Sequence, residues 1–528
     1  MPKFLTKFGM VFALLSSVSF GFDSRLSLDD VQKIMAQAVT RASQISKKGV
    51  IAIIDREGYV LGIWDVNGAT PPTVAVIAGA VSRAGTAAFL SSNQNAFTSR
   101  TAGFIIQQHF PPKVRNTPPG PLVGVGLSNL FYSDVNLFKQ FAPGFDPNSL
   151  FDPLNPYVSP GTFGISIAGT SLNDTPGGVP LYKDGKLVGG LGVTGDGSPI
   201  DISTGFAILS HKTRAGSTPG FKEGSDRDES VALAGQSGFE PSQEILATND
   251  ILGGIRIPYV NSNGDHTEVK PLGSIGNVLA AFPLQASPPP FNYEKAQLGG
   301  VDGEIRFPFR ADPAPGEING ASRLTRDEVR SILSLAAERA GHTRAGIRLP
   351  VGVSAKVFIS VVGNPDKDDA PPPILGVFRT GEATMFSWDV AVQKARTALF
   401  FSTRQFAQSS RSVGFLAQRY YPPGLDGRSS GPYFGIQEAL LFATASTKSH
   451  PNLNVPNGIT IFPGGFPLYR NGQLIGAIGV SGDGVDQDDI IAASGCKDFL
   501  PPMAIRSDQY IYRGARLPYA KFPRDPDL

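Results

Sequence analysis

Apolar residues recur at helical spacing near the start of the chain and again in its second half. The two stripes are Val31, Ile34, Met35 and Ala38, and then Val329, Ile332, Leu333 and Ala336. Residues three and four positions apart lie on one face of an α-helix, so each stripe predicts an amphipathic helix. Ser27 and Thr325 precede the stripes, and an acid follows each of them three positions later. That spacing is typical of a capping box at a helix N-terminus.

Short apolar runs follow each of these helices and predict pairs of β-strands. The runs lie at 50–54 and 59–64 in the first half, and at 355–362 and 374–378 in the second. Two more helices are predicted after each pair, at 80–89 and 99–107, and at 391–400 and 410–418. The later helix of each two ends before a double proline, at 111–112 or 422–423, because proline cannot continue a helix.

A long segment is repeated almost unchanged between the two halves. GGVPLYKDGKLVGGLGVTGDG at 177–197 returns as GGFPLYRNGQLIGAIGVSGDG at 464–484. Asp-Gly and Asn-Gly in the middle are the preferred residues of a two-residue hairpin turn with positive φ. The glycines inside the second strand predict that a helix or a ligand approaches the backbone closely. An acidic helix start follows in both halves, at 226–235 and 486–495.

The chain therefore contains two copies of one unit, each with a helix, two strands, two helices, a hairpin and a last helix. This order predicts an α+β fold, in which helices pack on a small antiparallel sheet. We place the copies at 22–260 and 322–528, with an ordered or semi-ordered Gly/Pro-rich linker at 261–321 and an insertion at 198–225 in the first copy. The motif Arg-x-Pro recurs at Arg256, Arg306, Arg348 and Arg516, and the first and last of these follow the last helix of each copy. It predicts strand ends that lock tails or linkers onto a sheet and could help hold the two copies together.

The first residues have the pattern of a secretory signal peptide. Lys3 and Lys7 precede an apolar run at 8–15, and the small residues Ser19 and Gly21 suit a cleavage site. We expect a signal peptide at 1–21 and a periplasmic or secreted protein. The alternative is a membrane anchor, but the run is shorter than the roughly 20 residues that span a bilayer.

Charge and cysteine content exclude several classes of protein. Lys and Arg number 47 and Asp and Glu number 45, so the formal charge of +2 gives no electrostatic reason to bind nucleic acid or anionic lipid. Cys496 is the single cysteine, so no intrachain disulfide or thiolate metal cage can form, and we expect this thiol to be inert. The nucleophile elbow, phosphate loop, zinc-protease motif and Rossmann fingerprint are all missing from the sequence.

Four segments of the second copy resemble the GlcG/HbpS-like haem-binding family, which also forms the C-terminal domain of PduO-type proteins. They lie at 394–402, 464–468, 472–481 and 486–495. The resemblance implies a profilin-like sandwich with a five-stranded antiparallel sheet, assembly into oligomers, and haem as the cofactor. This chain differs from the family in its tandem arrangement, its long insertions, and Gly-Asp-Gly in the turn after the hairpin.

Two pairs of equivalent residues are candidates for holding haem. His109 and Tyr420 both stand just before the double proline, and both residue types can ligate ferric haem. Arg100 and Arg411 stand near the start of the preceding helix and could bind propionates. The alternatives are a polar aromatic residue packed under a loop, and an arginine paired with a nearby carboxylate. The acids at 483–489 fit the first turn of a helix, so no metal site is predicted.

Three functions remain open at this point. The first is an exported tandem protein that binds haem, or a related flat cofactor, for sensing, storage or handling. The second is an enzyme that acts on a small oxygenated metabolite or on haem, although no convergent acid or base supports it. The third is a scaffold in which the two copies pair as a pseudo-dimer and ligand binding has been lost.

Overall fold

The computed structural model describes residues 25–69, 72–106, 109–112, 114–123, 172–195, 227–264, 268–288, 293–346, 352–367, 370–437, 439, 454–455 and 458–521. The predicted signal peptide and the predicted insertion at 198–225 lie outside these residues. Within the described part, helices and antiparallel sheets form a mixed α+β fold. No helix there is long and apolar enough to cross a membrane.

The first copy follows the predicted order of elements. They are α1 (Leu28–Ile45), β1 (Val50–Asp55), β2 (Val60–Asp65), α2 (Val74–Leu90), α3 (Ser99–Ile105), β3 (Gly178–Lys183), β4 (Lys186–Thr194) and α4 (Arg227–Gln236). The short strands β5 (Ile251–Leu252) and β6 (Ile255–Arg256) end the first copy, and β7 (Asn277–Val278), β8 (Glu294–Leu298) and β9 (Val301–Phe307) follow in the segment between the copies.

The second copy repeats the same order. Its elements are α5 (Arg326–Gly341), β10 (Phe358–Gly363), β11 (Ile374–Thr380), α6 (Phe386–Phe400), α7 (Ser410–Leu416), β12 (Gly465–Arg470), β13 (Gln473–Ser481), α8 (Val485–Gly495), β14 (Ile511–Tyr512) and β15 (Ala515–Arg516). Ser27 and Thr325 form the predicted capping boxes, since each side chain accepts from the backbone of the acid three positions on.

The main sheets take strands from the segment predicted as a linker. The first sheet has the order β3-β4-β1-β2-β7, and the second has the order β12-β13-β10-β11-β9-β8. All recorded pairs in both sheets are antiparallel. Because β7, β8 and β9 lie within 261–321, that segment completes both sheets, and the second sheet has six strands instead of the five expected.

The repeated hairpin has the predicted turn and a tight helix contact. Asp184 and Asn471 have φ of 51° and 50°, as a two-residue turn of this kind requires. A Cβ added to Gly192 would lie 2.0 Å from the carbonyl oxygen of Ala80 in α2. At the equivalent Gly479 the distance to a carbonyl oxygen of α6 would be 1.9 Å. The strand glycines therefore serve helix packing.

The Arg-x-Pro segments at Arg256 and Arg516 lie away from the main sheets, contrary to the prediction, whereas Arg306 lies at the end of β9 in the second sheet, as predicted. Arg348 lies outside the described residues. β5 pairs with β6, and β14 pairs with β15, as separate two-stranded ribbons. Beyond each ribbon the chain contacts the start of a helix: Thr98 donates to the carbonyl of Tyr259, and Ser409 to that of Tyr519. The hydroxyl at each of these N-caps thus donates a hydrogen bond to the tail, and these bonds connect the tails to α3 and α7.

Buried apolar residues form a core that contains parts of both copies. One cluster includes Ile54 and Phe97 of the first copy together with Phe358 and Trp388 of the second. A second cluster lies under α1 and α4 of the first copy and includes Ile34 and Leu191. The contact between the copies is therefore partly apolar.

Candidate functional site

The two candidate aromatic residues, His109 and Tyr420, contact each other. His109 follows α3 of the first copy, and Tyr420 follows α7 of the second. Their ring centroids lie 6.0 Å apart and the ring planes differ by 11°, so the rings are stacked. The guanidinium carbon of Arg419 lies 5.6 Å from the centre of the Tyr420 ring. Residues that the sequence aligned as equivalents thus meet at one point between the copies.

Both ring nitrogens of His109 already have partners. Nδ1 lies 3.3 Å from the carbonyl oxygen of Thr117, which can only accept, so Nδ1 carries the proton in this contact. Nε2 lies 3.4 Å from Oδ1 of Asp426, and the contact becomes an ion pair when the ring is doubly protonated. The Asp426 backbone in turn donates to the Asn116 side chain at 3.0 Å. In this arrangement Thr117 and Asp426 stand in front of the two ring nitrogens, so a haem iron can reach His109 only where one of them moves away.

Arg100 is buried in an ion pair within the first copy. Its Nε donates to Oε2 of Glu229 at 2.6 Å, and both side chains are 1% exposed. The other carboxylate oxygen of Glu229 accepts from the backbone of Asn261 at 2.7 Å. The charge of Arg100 is therefore compensated inside the copy.

Arg411 makes the equivalent contacts in the second copy. Its Nε donates to Asp489 at 2.8 Å, and its terminal nitrogen donates to Asp486 at 2.6 Å. Burial opposes the charge of the guanidinium, but Asp489 and Asp486 outweigh that effect and raise the pKa of Arg411. Both candidate arginines thus engage carboxylates at the start of the last helix of their own copy.

A second ion pair is repeated beside each of these, and sequence reasoning missed it. Arg83 contacts Asp228 at 2.8 Å in the first copy, and Lys394 contacts Asp488 at 2.8 Å in the second. Each cation also donates to a strand carbonyl, at Val193 or Val480. The matching positions of Arg83 and Lys394 in α2 and α6 were the sequence signal. The acidic helix starts therefore hold internal ion pairs, and no cluster able to hold a metal occurs among the described residues.

A charged cluster lies between the copies, and of its residues the sequence predictions named Arg306, in an Arg-x-Pro motif. Arg306 of β9, with a side chain 2% exposed, contacts Glu57 of the first copy at 3.3 Å and Glu304 at 2.7 Å. Its guanidinium carbon lies 3.7 Å from the centre of the Tyr293 ring. Arg379 lies 3.5 Å from Glu304 on the other side. Arg306 therefore contacts carboxylates on both sides of the boundary between the copies, and the Tyr293 ring packs against its guanidinium.

Electrostatics at this cluster favour the charged carboxylate. Burial disfavours ionised Glu304, yet Arg306 and Arg379 outweigh it and lower its pKa to about 2. Burial and the neighbouring cations lower the pKa of Arg379 to about 10. Arg56 adds an ion pair from the first copy to Glu382 of the second. The cluster therefore joins the copies by charge, as the core does by apolar contact.

Cys496 lies in the core of the second copy. Its thiol is 1% exposed, and Sγ lies 3.4 Å from the carbonyl oxygen of Ala492. Burial raises the pKa of this thiol far above the usual range, with Asp489 adding to the effect. A thiol that stays protonated is a poor nucleophile, which agrees with the prediction that it is inert.

Comparison with known proteins identifies the family. A family model described as haem degrading protein HbpS-like matches residues 26–208 and 368–497, together more than half of the chain. A search of curated proteins found no match.

Solved structures of this family align with about a third of the chain. PduOC in complex with haem is 22% identical, with a TM-score of 0.23, and the match covers 33% of this chain and 94% of PduOC. The Klebsiella pneumoniae protein ORFY is 22% identical, with a TM-score of 0.23, and covers 34% of this chain and 96% of its own. A double mutant of Streptomyces reticuli HbpS is 20% identical, with a TM-score of 0.21, and the match covers 35% of this chain and 94% of the HbpS chain. On the family match, which falls in both copies, the chain belongs to the HbpS-like family.

Proposed function

We propose that this protein binds haem. The observation that carries the proposal is the family match, which falls in both copies and whose description names haem. We further propose that each copy has the profilin-like sandwich expected from the sequence, and that the two copies pair with each other as a pseudo-dimer. The contacts of Arg306 and Glu57, and of His109 and Tyr420, support that pairing.

His109 and Tyr420 remain the candidate axial ligands, on one condition. Since Thr117 and Asp426 contact the two ring nitrogens, iron can reach His109 only if one of them is released. Arg100 is less suited to bind a propionate than Arg411, because its side chain is 1% exposed and that of Arg411 is 17% exposed.

Haemin titration tests the proposal directly. Saturable binding with a shifted Soret band in the full chain is the expected result, and a featureless titration would overturn haem binding altogether. His109→Ala and Tyr420→Phe, alone and combined, test the ligands through the Soret maximum and the spin state. His342→Ala serves as the matched control, since His342 lies at the end of α5 in the second copy.

Haem degradation is a second candidate, because the description of the matching family names it. The haem complex, given a reductant and dioxygen, should then lose Soret absorbance faster than free haem does. Catalase in the assay removes hydrogen peroxide and so separates protein-dependent turnover from oxidation by peroxide in solution. Loss that catalase abolishes would count against an enzyme.

Export is the remaining proposal. A signal peptide at 1–21 would place the mature protein in the periplasm or outside the cell. Sequencing the N-terminus of the mature protein tests it: a start at residue 22 supports export, whereas retention of Lys3 and Lys7 contradicts it.

A further inference from the structure

No described residue covers the groove between α5 and α8 of the second copy, and in this it differs from its counterpart in the first copy. It has a volume of about 580 Å³. Its lining is Leu335, Glu338, Arg339, His342, Ile490, Ala493, Ser494, Lys497, Leu500 and Lys521. The lining combines the apolar residues Leu335, Ile490, Ala493 and Leu500 with the basic residues Arg339, His342, Lys497 and Lys521, and Glu338 is its single acid.

The first copy shows what a groove of this kind can hold. After Asn261 the chain runs over the groove between α1 and α4. The carbonyl of Asn263 accepts from the Ser230 hydroxyl of α4 at 2.9 Å, and the backbone of Lys270 donates to Thr40 of α1 at 2.9 Å. Gly264 lies so close to Leu233 that an added Cβ would be 3.1 Å from it. A segment of the chain therefore covers this groove.

The residues of the two grooves correspond through the repeat. Ser230 and Leu233 of α4 match Ile490 and Ala493 of α8, and Thr40 matches Glu338. Three neutral residues of the first copy are replaced by basic ones in the second: Gln44 by His342, Ser237 by Lys497 and Asn261 by Lys521. The second groove thus lies between the same two helices as the first, carries more basic residues, and has apolar Ile490 where the first copy has Ser230.

We propose that the α5–α8 groove binds an extended acidic peptide segment of a partner protein. Apolar side chains of the peptide would lie on Ile490, Ala493 and the 59% exposed Leu500. Its carboxylates would face Lys497, Arg339 and Lys521, and Lys521 would exchange part of its 3.2 Å contact with Asp486 for the peptide. Charge complementarity of this kind sets partner choice and association rate. The proposal is independent of haem binding.

A fluorescein-labelled peptide of ten alternating leucine and aspartate residues is the probe, and anisotropy with the full chain is the measurement. We expect saturable binding that weakens as salt rises from 50 to 200 mM, because the charges lie at the surface. Lys497→Glu should weaken binding at least fivefold. Ser237→Glu, which places a glutamate at the matched position of the covered first groove, should leave it unchanged, and thermal melts of both variants confirm folding.

Three results with the full chain and its variants would overturn the proposal. They are no saturable binding, equal binding of a peptide in which lysine replaces aspartate, and equal effects of Lys497→Glu and Ser237→Glu. A chain ending at Lys521 that binds the peptide when the full chain does not would also overturn it, because the groove would then belong to residues of this chain and not to a partner. Haemin titration of Lys497→Glu should match the unsubstituted chain, which separates this site from haem binding.

Discussion

Arg306 is the residue on which most charges between the copies converge. We expect Arg306→Met to lower the free energy of unfolding by about 2–4 kcal/mol, because it leaves Glu304 and Glu57 with fewer partners in a buried setting. Urea unfolding measures the loss. Lys295→Met is the matched control, since Lys295 also contacts Glu304 but is 77% exposed, and an exposed pair contributes less than about 1 kcal/mol. Equal losses would show that burial does not set the contribution.

The same carboxylate gives a pH dependence with a defined sign. The folded-state pKa of Glu304 is about 2, below the roughly 4.3 of an unfolded glutamate. Its contribution to stability is therefore full above about pH 4.3 and is lost as the pH falls toward 2. Arg306→Met should reduce the loss of stability across that window, as thermal melts at a series of pH values will measure. An unchanged profile would contradict the role of Arg306.

Asp250 should act in the opposite direction. Burial raises its pKa to about 7, even though Asn95 donates to it at 2.9 Å. A carboxyl that binds its proton more tightly in the folded state loses stability as the pH rises from about 4 to 7. Asp250→Asn should therefore stabilise the protein at pH 8 and change little at pH 4. The second copy has Phe406 packed against Tyr510 at the positions of Asn95 and Asp250, so we expect no pH-dependent contribution to stability from there.

At the scale of elements, the strand glycines decide how closely a helix can pack on the sheet. Gly479→Ala should destabilise the protein by about 3 kcal/mol or more, because its Cβ would overlap the backbone of α6. Gly185→Asn should cost less than about 1 kcal/mol, since Gly185 has φ of 71° with nothing within 4 Å, and asparagine tolerates that conformation. Thermal melts of both variants compare them. Similar losses would mean that the turn, and not the helix contact, limits stability.

Elements with a strong local pattern could be predicted from the sequence. The capping residues of α1 and α5, and the two hairpin turns, depend on neighbours within a few positions, so the local pattern sufficed. β8 could not be predicted in this way, because its residues are mostly exposed and polar and it is held by pairing with β9. The same is true of β7, whose two residues pair with Trp64 and Asp65 from over 200 positions away.

At the candidate site, too, the sequence predicted what depends on a local pattern and did not predict contacts between distant segments. The double prolines were enough to align His109 with Tyr420, but not to show that the two rings stack across the copies. Asp426, Thr117 and Glu57 carry no local signal of their partners, because each contact depends on how distant loops meet. Arg100 and Arg411 were aligned correctly, and the acids that pair with them lie 129 and 78 positions away.

At the scale of the whole molecule, the proposed pairing of the two copies would let one chain do what two identical subunits do in a symmetric dimer. A symmetric pair would place the same residue on both sides of the axis. Here the two sides have diverged, to His109 against Tyr420 and, among the described residues, to a covered groove against an uncovered one. A tandem chain can therefore assign different tasks to its copies, which two copies of one shorter chain cannot.

Joined copies should also unfold together. The chain has two tryptophans, Trp64 in the first copy and Trp388 in the second, so Trp64→Phe and Trp388→Phe variants each report on one copy. Because one apolar cluster and the Arg306 ion pairs include both copies, we expect the two urea midpoints to coincide. Adding Glu57→Ala should lower both midpoints equally, although Glu57 belongs only to the first copy. A shift seen by Trp64 alone would show that the copies unfold independently, and pairing would then contribute little to stability.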